Sequence, residues 1–489
     1  MKIIMNKLLK FALPCLLFAA ASCKKNTSCA YDTVCIEQEP NGFMVGTMGS
    51  DANTGNRVAT IYNTLHNSNA PIGDSWSESS LGANQVSRIF PKYWVSDSIG
   101  QVFGIALDHN ANVFLSATDV YRYDYNYFGA GNFFPTGYGS ATASAGASGI
   151  YKTNYNTPNI TIPLVKTRPV ASANTTGFAE IPNSGSSLSY GIIPVGGNSI
   201  GNIAYDYTNN QLFATNLEDG RIYRINPTTG IVKSIFDPFV LDNGIAGMAP
   251  AGEQIWGIGI YTKGGVTTVY FARTTSTYDK EIWSIDLTPS GEFIAPPIAG
   301  LATDPTLTLT KKQIIVMPGA QPQGAQPHIT DIAFSSTGKM LLAERGRPHN
   351  AQIFEYTFTG LAWVSGNNFY VGTDLSSAGP YIKGHNSAGG VDYSSREIKN
   401  STPSFLCNDL VWGTSNAMFT KTFKNPAFSY PNYVYGAQGM SSSGNNPIVS
   451  NNESTDLYIN YFGPVSNNSG DVKGKIGDIE FFDQTCPCK

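Results

Sequence analysis

Apolar and polar side chains alternate in short runs along most of this chain. The stretch from Ile200 to Phe236 contains four such runs, at 202–205, 211–215, 221–225 and 231–236. Clusters of Asn, Asp, Thr and Gly separate them. A period of two interrupted by turn residues predicts antiparallel strands in a meander. Four strands in about 40 residues is the size of one β-propeller blade.

The same unit recurs along the chain. Its first strand is recognised around Ile105, Ile203, Ile258, Ile332, Val391 and Ile479. Each first strand is short and is followed by a more apolar second strand, so we predict an all-β fold: a single propeller of four-stranded antiparallel blades over residues 43–482. The gap between Ile105 and Ile203 is wide enough for a further blade. Six and seven blades therefore both stay open, and seven is favoured.

Composition agrees with short strands joined by tight turns. The chain has 489 residues, with 50 Gly, 26 Tyr and 26 Phe. Charged residues make up only 13% and the net charge is −4, so the sequence offers no basic field for nucleic acid. No linker or charge block marks a second domain between residues 43 and 482.

The first 22 residues are typical of a bacterial signal peptide. Lys2, Lys7 and Lys10 precede an apolar segment that ends before Cys23. The ending resembles a lipobox, although the pattern prefers Leu where this chain has Ala20. The resemblance implies acyl chains such as palmitate on Cys23, a tether over 23–42, and a place on the outer membrane or cell surface. The alternative is an ordinary secretory signal cut near the same position.

Cysteine placement fits export. Four cysteines lie near the mature termini, namely Cys29, Cys35, Cys486 and Cys488, the last two in a short tail at 483–489. Disulfides between the two ends would close the ring in an oxidising compartment, and local pairing of Cys29 with Cys35 stays open. A metal site at the C-terminal pair is disfavoured, because no His or further Cys lies nearby.

Several phrases in order resemble a family. They are VFGIALDHNANVFLSAT, NNQLFATNLEDGRIYRINPTTG, ITDIAFSSTGKMLLAERGR and GKIGDIEFF. Together they are similar to the propeller domain of large secreted bacterial surface proteins, often found upstream of SdrD B-like repeats. Such repeats are missing from this sequence. The resemblance implies the propeller fold and a surface location more than an activity.

Polar residues recur just before the aligned apolar position of the first strands. Asn202, Asp331 and Asp478 would face the central channel together. Two carboxylates and an amide oxygen suit a hard cation such as calcium. The pattern resembles the calcium-dependent lactonases of the gluconolactonase type, which implies a metal-dependent hydrolase. The alternative is that these side chains satisfy backbone groups and water in a wet channel.

Two further features suit recognition. An insertion at 121–149 carries Tyr121, Tyr123, Tyr125, Tyr127, Phe133, Phe134 and Tyr138. Aromatic faces stack on sugars or anchor protein partners, unless they cap the core of the propeller itself. Arg345 and Arg347 could clamp an anionic group, or could belong to an inter-blade ion pair.

The five histidines each lie beside Asn or Pro in a predicted turn, and motifs for serine hydrolases, zinc proteases or nucleotide binding are missing from the sequence. We therefore predict a non-catalytic surface lipoprotein whose propeller binds an extracellular glycan, a protein or an envelope partner. The alternative is the metal-dependent lactonase, with Asn202, Asp331 and Asp478 as ligands.

Overall fold

The computed structural model describes the greater part of the predicted strands. The described ranges are 42–49, 57–63, 75–76, 88–118, 149–165, 188–190, 193–195, 200–217, 220–239, 252–293, 311–318, 327–346, 351–372, 384–397, 405–419, 433–444, 457–461 and 476–482. The predictions for the signal peptide, Cys23, the tether before residue 42, and the cysteines Cys29, Cys35, Cys486 and Cys488 fall outside these ranges.

The described strands form six four-stranded meanders, numbered here as blades 1 to 6 and given from the axis outward. Blade 1 holds β27 (Ile476–Phe482), β1 (Phe43–Met48), β2 (Ala59–Asn63) and β4 (Arg88–Ile89). Blade 2 holds β5 (Val102–Leu107), β6 (Asn112–Ala117), β7 (Ile150–Asn154) and β8 (Thr157–Val165). Blade 3 holds β11 (Ile200–Asp206), β12 (Gln211–Asn216), β13 (Arg221–Ile225) and β14 (Val232–Phe236).

Blade 4 holds β15 (Ile255–Lys263), β16 (Val266–Thr274), β17 (Lys280–Asp286) and β18 (Lys312–Met317). Blade 5 holds β19 (His328–Phe334), β20 (Lys339–Arg345), β21 (Ile353–Phe358) and β22 (Trp363–Phe369). Blade 6 holds β23 (Ser387–Glu397), β24 (Phe405–Phe419), β25 (Tyr433–Ser441) and β26 (Leu457–Asn460). A short strand β3 (Ser75–Trp76) pairs in parallel with β26, and β9 (Leu188–Tyr190) forms a separate hairpin with β10 (Ile193–Val195).

Six hydrophobic clusters fill the six seams between neighbouring blades. Blades 5 and 6 share one continuous sheet, because Arg345 pairs with Ala388, yet a cluster still separates their faces. Each innermost strand contacts the next around the ring, and β27 contacts β5. The predicted propeller is confirmed. The described strands make six blades, so the preference for seven is wrong.

The wide gap between Ile105 and Ile203, which favoured a seventh blade, does not contain one among the described residues. Between Ile105 and Ile203 lie the three outer strands of blade 2 and the hairpin of β9 and β10. No further innermost strand separates β5 from β11 among the described residues, because those two strands contact each other directly. The long connections after β6 and after β8 therefore account for the spacing.

Turn residues fix the corner between the first two strands of a blade. In blade 3, Asp206 accepts hydrogen bonds from the backbone N–H groups of Thr208 at 3.0 Å and Asn209 at 3.1 Å, and Asn210 has a left-handed φ of 50°. Asp108 makes the same kind of corner in blade 2. The Asn- and Asp-rich clusters end strands here because an Asp side chain accepts hydrogen bonds from the N–H groups of the turn, which have no partner in the sheet.

Helix is nearly missing from the described ranges, which contain a single helical turn at Ser96–Ile99. No helix in those ranges is both long and apolar enough to cross a membrane.

Candidate functional site

The innermost strand of every blade is paired irregularly near the axis. The register shifts lie between Val102 and Ile105, Ile200 and Ile203, Ile255 and Ile258, Ile329 and Asp331, Ser387 and Val391, and, on β1 opposite β27, Gly46 and Met48. A bulge takes backbone N–H groups out of the ladder, and a buried N–H needs another acceptor. The six bulges therefore create a ring of donors around the axis.

Residue type alternates at the bulge from one blade to the next. Blades 2 to 6 and then blade 1 carry Gly104, Asn202, Gly257, Asp331, Gly390 and Asp478. In the blades with a polar residue, the side chain accepts from the following N–H in its own strand. Asp331 Oδ1 accepts from Ile332 N at 2.8 Å, and Asp478 Oδ1 accepts from Ile479 N at 3.0 Å.

Each aspartate also serves the next blade. Asp331 Oδ2 accepts from Val391 N at 2.8 Å, and Asp478 Oδ2 accepts from Ile105 N at 3.1 Å. Those two N–H groups directly follow the glycines of blades 6 and 2. One carboxylate thus accepts from the bulge N–H groups of two neighbouring blades. The glycine in the bulge of the second blade leaves room for the carboxylate to cross the seam.

The three polar side chains meet at the axis. Asn202 Nδ2 donates to Asp331 Oδ1 at 3.1 Å and to the Thr330 carbonyl at 2.9 Å. The negative charge of Asp331 acts on the Asp478 carboxyl and raises its pKa, which places the two carboxyl groups close together. All three residues are at most 2% exposed. We call Asn202, Asp331 and Asp478 the axial cluster.

The two carboxyl groups of the axial cluster both have raised pKa values. Burial raises the pKa of Asp331 to about 7, against the opposing effect of the Val391 N–H. Burial, followed by the negative charge of Asp331, raises the pKa of Asp478 well above its usual range. Two carboxylates in contact in a buried site cannot both ionise at low cost. At neutral pH the pair therefore retains a proton.

This proton predicts a pH-dependent stability. An unfolded Asp has a pKa near 3.9, so from about pH 4 up to the raised folded pKa the folded chain holds a proton that the unfolded chain has released. The free energy of unfolding should fall as the pH rises, by at most about 1.4 kcal/mol per pH unit for each such proton. Buried His328 and His385, with pKa values lowered to about 3 and 4, and His109, whose pKa burial also lowers, act in the opposite sense until the unfolded imidazoles lose their protons, at about pH 6.5 to 7. Lys311, with a pKa lowered to about 8, acts in the same sense as the histidines from about pH 8 upward.

The variant Asp478→Asn tests this explanation by urea unfolding at pH 6.5 and pH 8. Its amide can donate to Asp331 without a titrating proton, so the difference between the two pH values should shrink. The amide loses one acceptor for the N–H of Ile105 or Ile479, which should cost about 1–3 kcal/mol at pH 6.5. Glu292→Gln is the matched control: it changes a half-exposed carboxylate paired with Arg224, so any loss of stability should be equal at the two pH values. A slope as steep in Asp478→Asn as in the unmodified chain would contradict the retained proton.

The axial cluster matches the residues predicted as calcium ligands, but its geometry does not suit a cation. The carboxylate oxygens accept from backbone N–H groups and from the Asn202 amide, so a cation would have to displace these donors to reach the oxygens. Within the described ranges, no group of three or more His, Cys, Asp or Glu side chains could hold a metal ion. The three side chains converge as predicted. Their hydrogen bonds are made with the backbone of the innermost strands and with one another.

A cavity of about 80 Å³ lies on the axis next to the cluster, toward the C-terminal ends of the innermost strands, and all six blades line it. Two residues after the bulge position, the blades carry Ala106, Ala204, Gly259, Ala333, Asp392 and Glu480, and all six line the cavity. Side chains two apart on a strand share a face, so this is a second layer around the same axis. Four small residues leave the space, and two acidic side chains from adjacent blades border one side of it.

Aromatic rings border the side formed by blades 3, 4 and 5. The lining includes Tyr205, Tyr207, Tyr261 and Phe334. The centroids of the Tyr205 and Tyr207 rings lie 5.1 Å apart with the planes near perpendicular, and those of Tyr261 and Phe334 are stacked at 5.1 Å. Burial, and then the charges of Glu480 and Asp392, raise the pKa of the Tyr207 hydroxyl well above its usual range. Tyr207 thus reaches from blade 3 toward the acidic side.

Our sequence interpretation did not include this cavity. The signal was available, because the acidic residues of blades 6 and 1 occupy the position that holds Ala or Gly in the other four blades. The alignment of repeats that placed Asn202, Asp331 and Asp478 together already contains this position, two residues further along each strand.

The charged cluster after β20 is built into the blade contacts. The Arg345 guanidinium donates to the carbonyls of Ala388 and Ile476, and it lies 5.5 Å from the centre of the Phe103 ring. Its neighbour Glu344 pairs with Lys280 of blade 4. Arg345 is 6% exposed. These contacts support the inter-blade alternative over an anion clamp, and Arg347 lies outside the described ranges.

The turn prediction for the histidines is wrong at His328. This residue opens β19, is buried, and stacks on Trp256 with ring centroids 3.8 Å apart. Its Nδ1 bonds the Thr274 hydroxyl at 2.7 Å. The pair links blades 4 and 5, so the Pro327-His328 sequence marks the start of β19 and not a turn.

The predicted aromatic recognition surface is outside the described ranges. It comprises Tyr121, Tyr123, Tyr125, Tyr127, Phe133, Phe134 and Tyr138. Only Gly149, at the end of the insertion, is described, where its carbonyl accepts from the Ala117 N–H at 2.8 Å.

No family model and no curated protein matches the chain. Solved structures resemble it at low identity. The chain matches a structure from a nidogen/laminin complex at 8% identity and a TM-score of 0.38, over 90% of this chain and 98% of the other. A Lactobacillus plantarum protein matches at 8% and 0.39, over 91% and 100%. A putative 6-phosphogluconolactonase from Bacteroides fragilis matches at 9% and 0.36, over 91% and 98%. Likenesses this distant carry no argument about activity.

Proposed function

We propose that the protein is a non-catalytic binding module of the bacterial cell envelope. In this proposal acyl chains on Cys23 hold it at the outer membrane or cell surface, and the propeller binds an extracellular ligand or an envelope partner. The supporting observation is the state of the axial cluster. The residues that would carry lactonase chemistry are at most 2% exposed, and their oxygens accept hydrogen bonds from bulge N–H groups.

The physical argument concerns access. A general base or a metal ligand must come within hydrogen-bond or coordination distance of the substrate. Moving Asp331 or Asp478 toward a substrate would strip acceptors from the N–H groups of Val391 and Ile105, each at a cost of about 1–3 kcal/mol. The cluster therefore stabilises the ring, and recognition is left to the mouth and the loops.

The aromatic insertion offers the direct test of binding. Removing residues 121–149 should leave the cooperative unfolding transition in place and abolish capture of the partner in envelope pull-downs and on glycan arrays. Insertions in loops on a rigid scaffold are where recognition concentrates. Capture unchanged by the deletion would contradict this role. Lactone hydrolysis that calcium stimulates and Asp331→Asn abolishes would instead favour the hydrolase.

A further inference from the structure

We infer that the axial cavity binds a small organic cation of the alkylammonium class. This deepens the proposed binding function and rests on it, because it names a ligand for the mouth of the propeller. The first step is size. A buried water needs roughly 10–15 Å³ on the same measure, so a cavity of about 80 Å³ holds one small organic head group or several waters.

The second step is charge. Asp392 and Glu480 lie on adjacent blades and both line the cavity. Among the described residues that line it, none is Lys, Arg or His. Asp392 accepts from the N–H groups of Phe481 at 2.8 Å and Tyr393 at 2.7 Å, which fixes its carboxylate at the wall. Because both oxygens of Asp392 already accept from backbone N–H groups, Asp392 contributes negative charge to the cavity and not a vacant ligand atom. Together with the negative charge of Glu480, this favours an organic cation that needs no direct oxygen ligand over an anion or a neutral sugar.

The third step is the nature of the opposite wall. The tyrosines and Phe334 present aromatic rings, and Ile203, Ile258 and Ile332 present alkyl groups. A metal ion or a bare ammonium needs several oxygen ligands, which this wall does not provide. A cation that carries methyl or methylene groups can place them against rings and aliphatic side chains while its charge faces the carboxylates. Aromatic faces attract such cations, and aromatic cages recognise quaternary ammonium groups in this way.

The aromatic side is also held in place before a ligand arrives. The Tyr205 hydroxyl donates to Asn210, and the Tyr205 ring stacks on Phe114 with centroids 5.9 Å apart. His109 contacts both Tyr205 and Tyr207, with ring centroids at 5.9 and 5.3 Å. Burial lowers the pKa of His109, so this neighbour is neutral at pH 7 and does not oppose a cation. A rigid aromatic wall loses little conformational entropy on binding.

Choline and 3,3-dimethylbutan-1-ol form a matched pair for the test, because they share a shape and differ in charge. Isothermal titration of the purified full-length chain should show a Kd for choline at least ten times lower than for the neutral alcohol. Glu480→Gln should weaken choline binding at least fivefold. Ala204→Leu fills the cavity without removing charge, and it should abolish binding. Glu292→Gln changes a carboxylate that is not in the cavity lining, so it is the control and should leave the choline Kd unchanged.

Two outcomes would overturn the inference. One is equal affinity for choline and the alcohol, which would make the cavity a neutral apolar site. The other is no saturable choline binding up to 10 mM by a chain whose unfolding transition is intact. Envelope pull-downs with Glu480→Gln separate the two proposals. Capture that persists while choline fails would overturn only the cation site, whereas lost capture on deleting 121–149 bears on the binding function alone.

Discussion

Gly390→Ala should lower the free energy of unfolding by about 3 kcal/mol, at the upper end of the usual cost of overpacking. A Cβ at this position would lie 2.6 Å from the Cα of Asp478 and 2.8 Å from the N of Ile479. Both atoms belong to the backbone of β27, so no side chain can rotate away. The innermost strand of blade 1 would have to move, and this movement would displace the Asp478 carboxyl from Asp331.

Chemical denaturation of Gly390→Ala beside Gly264→Ala measures this effect. Gly264 has a φ of 59°, and a Cβ added there would meet nothing within 4 Å, so its substitution tests only the cost of a left-handed residue, about 1–2 kcal/mol. The axial variant should also lose the pH dependence assigned to Asp331 and Asp478. Equal destabilisation by the two substitutions would mean that the close approach of blades 6 and 1 does not need glycine.

The blade architecture could be predicted from the sequence because it depends on local chemistry. The four strands of blade 3 lie where the alternation places them, and the Asp206 corner shows the turn chemistry that separates them. The convergence of Asn202, Asp331 and Asp478 also followed from aligning the repeats. These predictions need only the period of the strands and the assumption that copies superimpose around an axis.

What the axial residues do could not be predicted in the same way. Counting oxygens at Asp331 and Asp478 suggests a metal site, whereas the bulges turn N–H groups of Val391 and Ile105 onto those oxygens. A bulge depends on how two strands pair, which one strand alone does not reveal. The prediction of seven blades was wrong for a related reason. Loop length has only a weak effect on stability, so the long gap between Ile105 and Ile203 says little about how many strands face the axis.

The role of Arg345 is a third feature that the sequence alone could not predict. A dense charge cluster at the end of a strand is compatible with a ligand clamp or with a contact between blades, and sequence leaves both open. The structure gives its guanidinium backbone acceptors in blades 6 and 1. Long-range partners such as Ile476 lie far from Arg345 in the chain, so their contact depends on ring closure.

Ring closure by β27 gives the prediction with the largest effect. A chain that ends at residue 475 should lose its cooperative unfolding transition. The truncation removes the innermost strand of blade 1, including Asp478 and the Ile476 carbonyl that Arg345 bonds. It also removes Ile479 and Phe481 from the seam with blade 6, which leaves Trp412 and Met44 facing a gap. A propeller with one open edge exposes both apolar surface and unpaired backbone groups.

Deletion of residues 483–489 under reducing conditions is the matched control, since it shortens the chain after β27 and spares the strand. That variant should keep a single thermal transition, followed by near-ultraviolet circular dichroism. A synthetic peptide of residues 474–484 added to the longer truncation should restore part of the signal, because an extended segment can add to the open edge of β1 by main-chain bonding. A truncated chain with an unchanged transition would show that β27 is not required to close the ring, and the place of Asp478 in the axial cluster would then have to be abandoned.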